Sequence, residues 1–387
     1  MDNNHLPLGP WRGVSWAADT PPALDRHILR ARHAVRIGDH WSALIAANEL
    51  AVLADRPDAA EVLGARRGYL PDSPVNRSFA DALRERPEDA GIFGPPVVLS
   101  ARSLHWEPDW SGGAGRLGLV GVRIVNGFQR LVEVAHRARE LSPEELDRAL
   151  LWVVVVADED GDRARGMCDR AAHRVNPFVP QDNLALCPHL RRAQAEFRKE
   201  GSYFDPRRGV VSGPHPVGFT PADVFRSLAA LSPVQHPSMS NQLQTGEGLD
   251  ALWSDITGPA YRGLVHEGLH AIGIQRAVEA RRETQRVIAR LLKRNGRGHR
   301  KLLEYAPELV TWTACRVLPL ETLHDGSRTS PNWTKLINGT LPAETERVAD
   351  LLVGGYVRLH GSDRTFKPTA PTLGLWLELV DAVLGGA

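Results

Sequence analysis

Cysteine, lysine and long apolar runs are all scarce in this chain of 387 residues. The three cysteines, Cys168, Cys187 and Cys315, are odd in number and widely spaced. That excludes a disulfide framework and a CxxC metal pair. Lysine occurs five times, at Lys199, Lys293, Lys301, Lys335 and Lys367. Nearly all positive charge is therefore arginine, whose planar fork suits bidentate phosphate contacts. An excess of either sign is missing too: 47 basic residues against 46 acidic leave a net charge of +1. No global field marks a nucleic-acid binder, so any such surface must be a local patch. The longest apolar run, residues 149–157 (ALLWVVVVA), falls far short of the ~20 residues that span a bilayer. The opening Met1-Asp2-Asn3-Asn4-His5 lacks the basic-then-apolar order of a signal peptide. A cytoplasmic protein with no membrane partner is expected. Internal repeats and low-complexity tracts are absent.

What is present is ordinary globular material, 42% hydrophobic and 24% charged, enough for two or three domains at roughly 150 residues each. Residues 1–20, rich in Pro, Gly and Asn, read as an extended arm. From Pro21 to Leu63 the spacing of Leu24, Ile28, Ala31 and Val35 predicts helix, and so does the alanine-rich 43–54. The middle alternates. Runs at 97–99 and 117–125 predict strands, 128–141 a helix, and Ser142-Pro143-Glu144-Glu145 a capped helix start. The continuous apolar run 150–157 predicts a strand buried on both faces. Helices are expected to follow at 158–173 and 183–199. Beyond Gly209 the pattern is helical: a helix capped at Thr220, a long one from Thr257-Gly258-Pro259 to Asn295-Gly296, and others at 343–358 and 372–385. The expectation is an α/β (α+β) chain in three parts: a helical amino-terminal segment over 1–60, an α/β core over 61–210 and a mainly helical domain over 211–387.

Within that core, Val122-Arg123-Ile124-Val125-Asn126-Gly127-Phe128-Gln129-Arg130 predicts a strand turning into a helix. A glycine lets the backbone turn sharply, and free amides at a helix start attract an anion such as phosphate. Asn126, Gln129 and Arg130 would add hydrogen bonds and a charge; a plain βα connection accounts for the same pattern.

IVNGFQ resembles the IVNG-x-Q motif of the AIPR family, named for abortive phage infection proteins. Further segments resemble that family in order: Arg67-Gly68-Tyr69-Leu70 with Pro74-Val75-Asn76, residues 87–93 (PEDAGIF), His173 to Val179 (HRVNPFV), and Gly201-Ser202-Tyr203-Phe204 with Arg207-Arg208-Gly209. The likeness covers about residues 60–210. It departs at Gly94-Pro95-Pro96-Val97-Val98, where the family usually has an NNGIT segment, and at Arg130, where it usually has threonine. Gly127-Phe128-Gln129-Arg130 is also similar to the G-x-x-R box of ParB-like and sulfiredoxin-like domains, whose arginine contacts phosphate. The resemblances imply a ParB-like mixed core, a role in phage defence, and nucleotide or nucleic-acid phosphate as partner. The residues implicated are Asn126, Gly127, Gln129 and Arg130, with Arg67 and Asn176 from the other matching motifs. No cofactor is expected and no reaction is specified.

An alternative comes from His266-Glu267-Gly268-Leu269-His270, a literal H-E-x-x-H. On a helix, His266 and His270 would face one way as zinc ligands, with Glu267 as general base of a metallopeptidase. The pattern needs a third ligand. Arg276 occupies the metzincin position and cannot ligate. Glu279 and Glu283 lie roughly 20–25 Å along an unbroken helix and reach the metal only if that helix breaks, at Gly273. Residues 290–301 (RLLKRNGRGHRK) concentrate basic residues, fitting either a phosphate backbone or a solvated helix end. Asp158, Asp160 and Asp162 mimic a calcium loop but lack its glycine and glutamate positions. A third reading is a non-catalytic binding or scaffold protein whose carboxy-terminal half contacts a partner.

Overall fold

The computed structural model describes residues 26–56, 58–65, 67–92, 94–109, 113–159, 167, 179–209, 218–233, 236–294, 301–327, 329–360 and 372–384. The expected amino-terminal arm, most of the helix expected over 158–173, and Asn176 fall outside them. The chain forms two compact units, Met1–Asp182 with Arg207–Val211, and Asn183–Pro206 with Ser212–Ala387. The stretch 183–206, expected within the α/β core, thus belongs to the second unit.

The described residues of the first unit do not begin with a helix. β1 (His27–Ile37) and β2 (His40–Ala46) form an antiparallel hairpin, and only then does α1 (Ala47–Ala54) start. The helical spacing of Ile28, Ala31 and Val35 is overridden by period-two alternation. Leu29 and Ala31 are buried, while Ile28 and Val35 are exposed. The missed signal is Gly38-Asp39, a two-residue hairpin loop with Gly38 at φ +62°. The alanine-rich 43–54 splits accordingly, its first four residues completing β2.

After α2 (Ala59–Val62) and α3 (Pro74–Glu85) come β3 (Val97–Ala101), β4 (Ser103–Pro108), β5 (Gly115–Val120) and β6 (Arg123–Asn126). The single strand expected over 117–125 is two, broken at Gly121 and Val122. Then follow α4 (Phe128–Arg137), α5 (Pro143–Arg148) and β7 (Leu150–Ala157). Ser142 caps α5, as expected, and Glu145 returns the bond: the Glu145 amide donates to Ser142 Oγ at 3.2 Å and the Ser142 amide to Glu145 Oε2 at 2.7 Å.

The seven strands make one mixed sheet in the order β4-β5-β1-β2-β7-β3-β6, with β3 and β7 its parallel pair. Register places Ala31 beside Ile45, Ile45 beside Leu151, Ala43 beside Val153, and Val153 beside Val97. Directly paired residues share a face. These form the core with Leu50 and Leu53 of α1, Phe79 and Leu83 of α3, and Leu131 and Val134 of α4. β7 is less enclosed than expected, because Trp152, on the other face, is 42% exposed.

Among its described residues the second unit is helical apart from a short parallel pair. Its elements are α6 (Pro188–Lys199), β8 (Tyr203–Phe204), β9 (Gly218–Phe219), α7 (Pro221–Ala230), α8 (Ser238–Leu243), α9 (Gly246–Ser254) and α10 (Pro259–Leu264). There follow α11 (Ala271–Arg294), α12 (Lys301–Tyr305), α13 (Pro307–Ala314), α14 (Trp333–Lys335), α15 (Leu341–His360) and α16 (Leu373–Leu384). Thr220 caps α7 through the Asp223 amide. Phe197, Phe225, Trp312, Tyr356 and Trp376 anchor the core. The long helix expected from 257 to 295 is two, because the chain leaves helical conformation after Leu264 and re-enters it at Ala271. No described helix is long and apolar enough to cross a membrane.

Candidate functional site

The 126–130 segment is the strand-to-helix turn the sequence predicts. Gly127 sits between β6 and α4 at φ +94°, and a Cβ there would lie 3.0 Å from the Cα and Cγ2 of Val97. Only glycine fits without strain. Its carbonyl accepts from the amides of Arg130 (3.0 Å) and Leu131 (3.1 Å), and no side chain caps the helix start. Asn126 is half-buried, its amide reaching Pro96 O at 3.5 Å, the outer limit of a hydrogen bond.

Both ends of the Gln129 amide are engaged. Its Oε1 accepts from the Leu70 amide at 2.8 Å and from Asn76 Nδ2 at 2.9 Å; its Nε2 donates to Gly68 O at 2.8 Å. Asn76, itself buried, also donates to Leu70 O. Gln129 therefore staples the start of α4 to the 67–70 segment through both ends of its amide. Arg130 is the opposite case. Among the described residues its guanidinium has no hydrogen-bond or ion-pair partner, and burial alone pulls its pKa down to about 10.

Arg67 lies in a second charged group. Asp182, wholly buried, accepts from Arg208 Nε at 3.1 Å and Nη2 at 3.0 Å and from the Val179 amide at 3.1 Å, with Arg67 Nη1 at 3.7 Å. Burial lowers the Arg67 pKa, Asp182 opposes the shift, and Arg208 adds to it. The Gly68 amide donates to Arg208 O at 2.7 Å. Beside it the Tyr69 hydroxyl donates to buried Glu133, which also accepts from Arg137 Nε at 2.8 Å. Burial first, and that hydrogen bond second, raise the Tyr69 pKa. The segments at 67–70, 76, 129 and 207–209, scattered along the sequence, thus meet in one place. Sequence reasoning missed Asp182 and Glu133. Glu133 had a visible signal: it interrupts the apolar run of Leu131, Val132, Val134 and Ala135, where a carboxylate needs a partner.

The H-E-x-x-H segment is not a helix. Residues 266–270 form the turn between α10 and α11. The His266 Nδ1 accepts from the Gly268 amide at 3.1 Å, a turn bond. His270 Nδ1 meets Glu196 Oε1 at 3.0 Å, and Glu196 Oε2 accepts from the Ala271 amide at 2.8 Å, capping α11. Arg192 holds the turn from below by donating to Leu269 O at 2.8 Å. The carboxylate that caps α11 and the arginine on the turn's carbonyls stabilise the break that propensity alone did not foretell.

The i, i+4 stacking required of His266 and His270 is therefore lost. Glu279 is taken by Gln275 and Glu283 by Arg286. Arg276 donates to the carbonyls of Thr322, Leu323 and Asp325. His324 stands edge-on to His266 with ring centroids 5.7 Å apart. Burial, then His266, His270 and Arg276, hold it down to about 4. Even so, among the described residues no three His, Cys, Asp or Glu side chains are arranged to hold a metal. The residues present do not fit the catalytic zinc that the alternative reading needs.

Compared with family models, with curated proteins and with solved structures, the chain has no match, so the likeness to AIPR proteins rests on its motifs alone.

Proposed function

We propose that the turn from Asn126 through Gly127 to Arg130 binds a phosphate group of a nucleotide or nucleic acid, and that the protein acts in abortive phage infection. The observation that carries the binding reading is Arg130. A guanidinium drawn largely out of water without a counter-ion is costly to keep, and an anion at that position would repay the cost. The uncapped start of α4 offers amides and the positive end of the helix dipole beside it. Gly127 lets the chain reach that start without a side chain in the way. The biological role rests on the AIPR-like motifs, and their convergence around Gln129 supports treating them as one site.

The test uses the full chain. Calorimetric titration with ATP, and anisotropy with a labelled 20-nucleotide single strand, measure binding; plating efficiency of phage on cells expressing the protein measures protection. Arg130→Ala is expected to weaken binding about ten- to a hundredfold, the worth of one charge-assisted contact, and to abolish protection. Unchanged binding and protection in Arg130→Ala would sink the proposal. So would a wild-type chain that binds neither probe.

A further inference from the structure

A second concentration of positive charge lies on α11, in the second unit. Two of its arginines work inside the fold: Arg276 holds the carbonyls of Thr322, Leu323 and Asp325, and Arg281 forks onto buried Glu308 with Nε at 3.1 Å from both carboxylate oxygens. The other five basic residues, Arg282, Arg286, Arg290, Lys293 and Arg294, are all exposed. They recur at the helical period on one face, while Thr284, Val287, Ile288 and Leu291 fill the buried side.

Two ordinary causes account for part of this stripe. Cations at a helix end offset the dipole, but that effect falls off within the last turn. It covers Lys293 and Arg294, leaving Arg282 and Arg286 two to three turns upstream. Ion pairing covers Arg286 with Glu283 and Arg290 with Glu346. The Arg290–Glu346 pair is exposed on both sides, and such pairs are weak and can exchange for another anion. Arg282 stacks over the Phe219 ring, 5.3 Å from its centroid, while neither Lys293 nor Arg294 has a partner among the described residues.

The shape of the face suits a larger anion. Ala289 sits among the long side chains, and with Arg286, Arg290, Lys293 and Arg294 it lines a shallow cavity of about 420 Å³. From 282 to 294 the helix runs ~18 Å at ~1.5 Å per residue. A nucleic-acid strand presents a phosphate about every 3.4 Å, so ~18 Å faces about five of them. Four of the five cations are arginine, whose fork matches two phosphate oxygens at once.

We infer that this face of α11 is a docking surface for the sugar–phosphate backbone of a nucleic acid. The inference stands on a different helix from Arg130 and does not rest on that reading.

Anisotropy of a labelled 20-base-pair duplex of arbitrary sequence, titrated with the full chain between 50 and 200 mM KCl, tests it. Binding is expected to weaken steeply with salt. In Lys293→Ala/Arg294→Ala the slope of log K against log salt becomes shallower by about 2, and affinity at low salt falls at least about tenfold. Both side chains are exposed at the helix end, and circular dichroism checks that the variant folds. A wild-type chain that does not bind the duplex overturns the inference, as does a double variant with the wild-type slope. Binding to phosphatidylserine vesicles but not to the duplex overturns it in favour of a lipid surface.

Discussion

The turns before α4 and before α11 invite comparison, because each holds the most suggestive motif of its unit and each folds in a way that separates its residues. At the first, Gln129 is absorbed by the scaffold while its neighbour Arg130 is left with a charge and no partner. At the second, His270 and Glu196 are absorbed by the cap on α11, and no free set of ligands remains. A spacing rule treats all members of a motif alike. Hydrogen-bond satisfaction sorts them, and only a member left unsatisfied has capacity for a ligand.

The largest expected effect tests that sorting directly. Gln129→Ala removes three hydrogen bonds at once and leaves the Gly68 carbonyl and the Leu70 amide without their partner. A loss of about 3 kcal/mol is expected, from roughly 1–3 kcal/mol for each buried group stranded. The matching change in the second turn, His270→Ala, breaks a pair in which the histidine side chain is 47% exposed. It should cost no more than about 1 kcal/mol. Urea unfolding of the two variants makes the comparison. Equal losses would mean that Gln129 is not the staple of the first unit.

How far the sequence revealed these sites follows the range of the interactions involved. The βα turn at Gly127 and the caps at Ser142 and Thr220 were legible because each is settled within a few residues. The amino-terminal hairpin was misread. Its two-residue turn is local, but the burial of Leu29 and Ala31 that decides strand over helix comes from the sheet. The break at 265–270 was invisible because Glu196, which caps the restart, lies 75 residues from Ala271. The role of Gln129 was hidden for the same reason, its partners being 53 to 61 residues away.

The histidines of the second turn give an intermediate effect that sharpens the contrast. His324, beside His266, His270 and Arg276, is held to about 4 against an ordinary 6.5. The folded chain therefore resists a proton that the unfolded chain takes up below pH 6.5. Since the unfolded state binds more protons there, stability falls as pH drops from about 6.5 to about 4 and then levels. The ring is only partly out of water, so the loss is of order 1–2 kcal/mol, less than the full shift implies. His189 is shifted the same way, by burial first and Arg192 second, and adds to the slope. Chemical unfolding at pH 4.5 and 7 should show the loss, and His324→Gln should shrink it. A His324→Gln profile identical to wild type would remove this ring as its source.

The smallest effect on stability is expected where the effect on function is largest. If Arg130 served the fold, replacing it would leave a partner stranded and destabilise the chain, as at Gln129. No described residue pairs with it, and its charge is desolvated without return. Arg130→Met keeps much of the side-chain volume and discards the partly buried charge, so it should leave stability unchanged or raise it by up to about 1 kcal/mol. The same variant should bind ATP and the labelled strand about ten- to a hundredfold more weakly. A protein no less stable that binds its ligand more weakly is the signature of a residue kept for binding. A protein destabilised by 2 kcal/mol or more would instead place Arg130 with Gln129 among the staples, and the distinction drawn between the two neighbours would collapse.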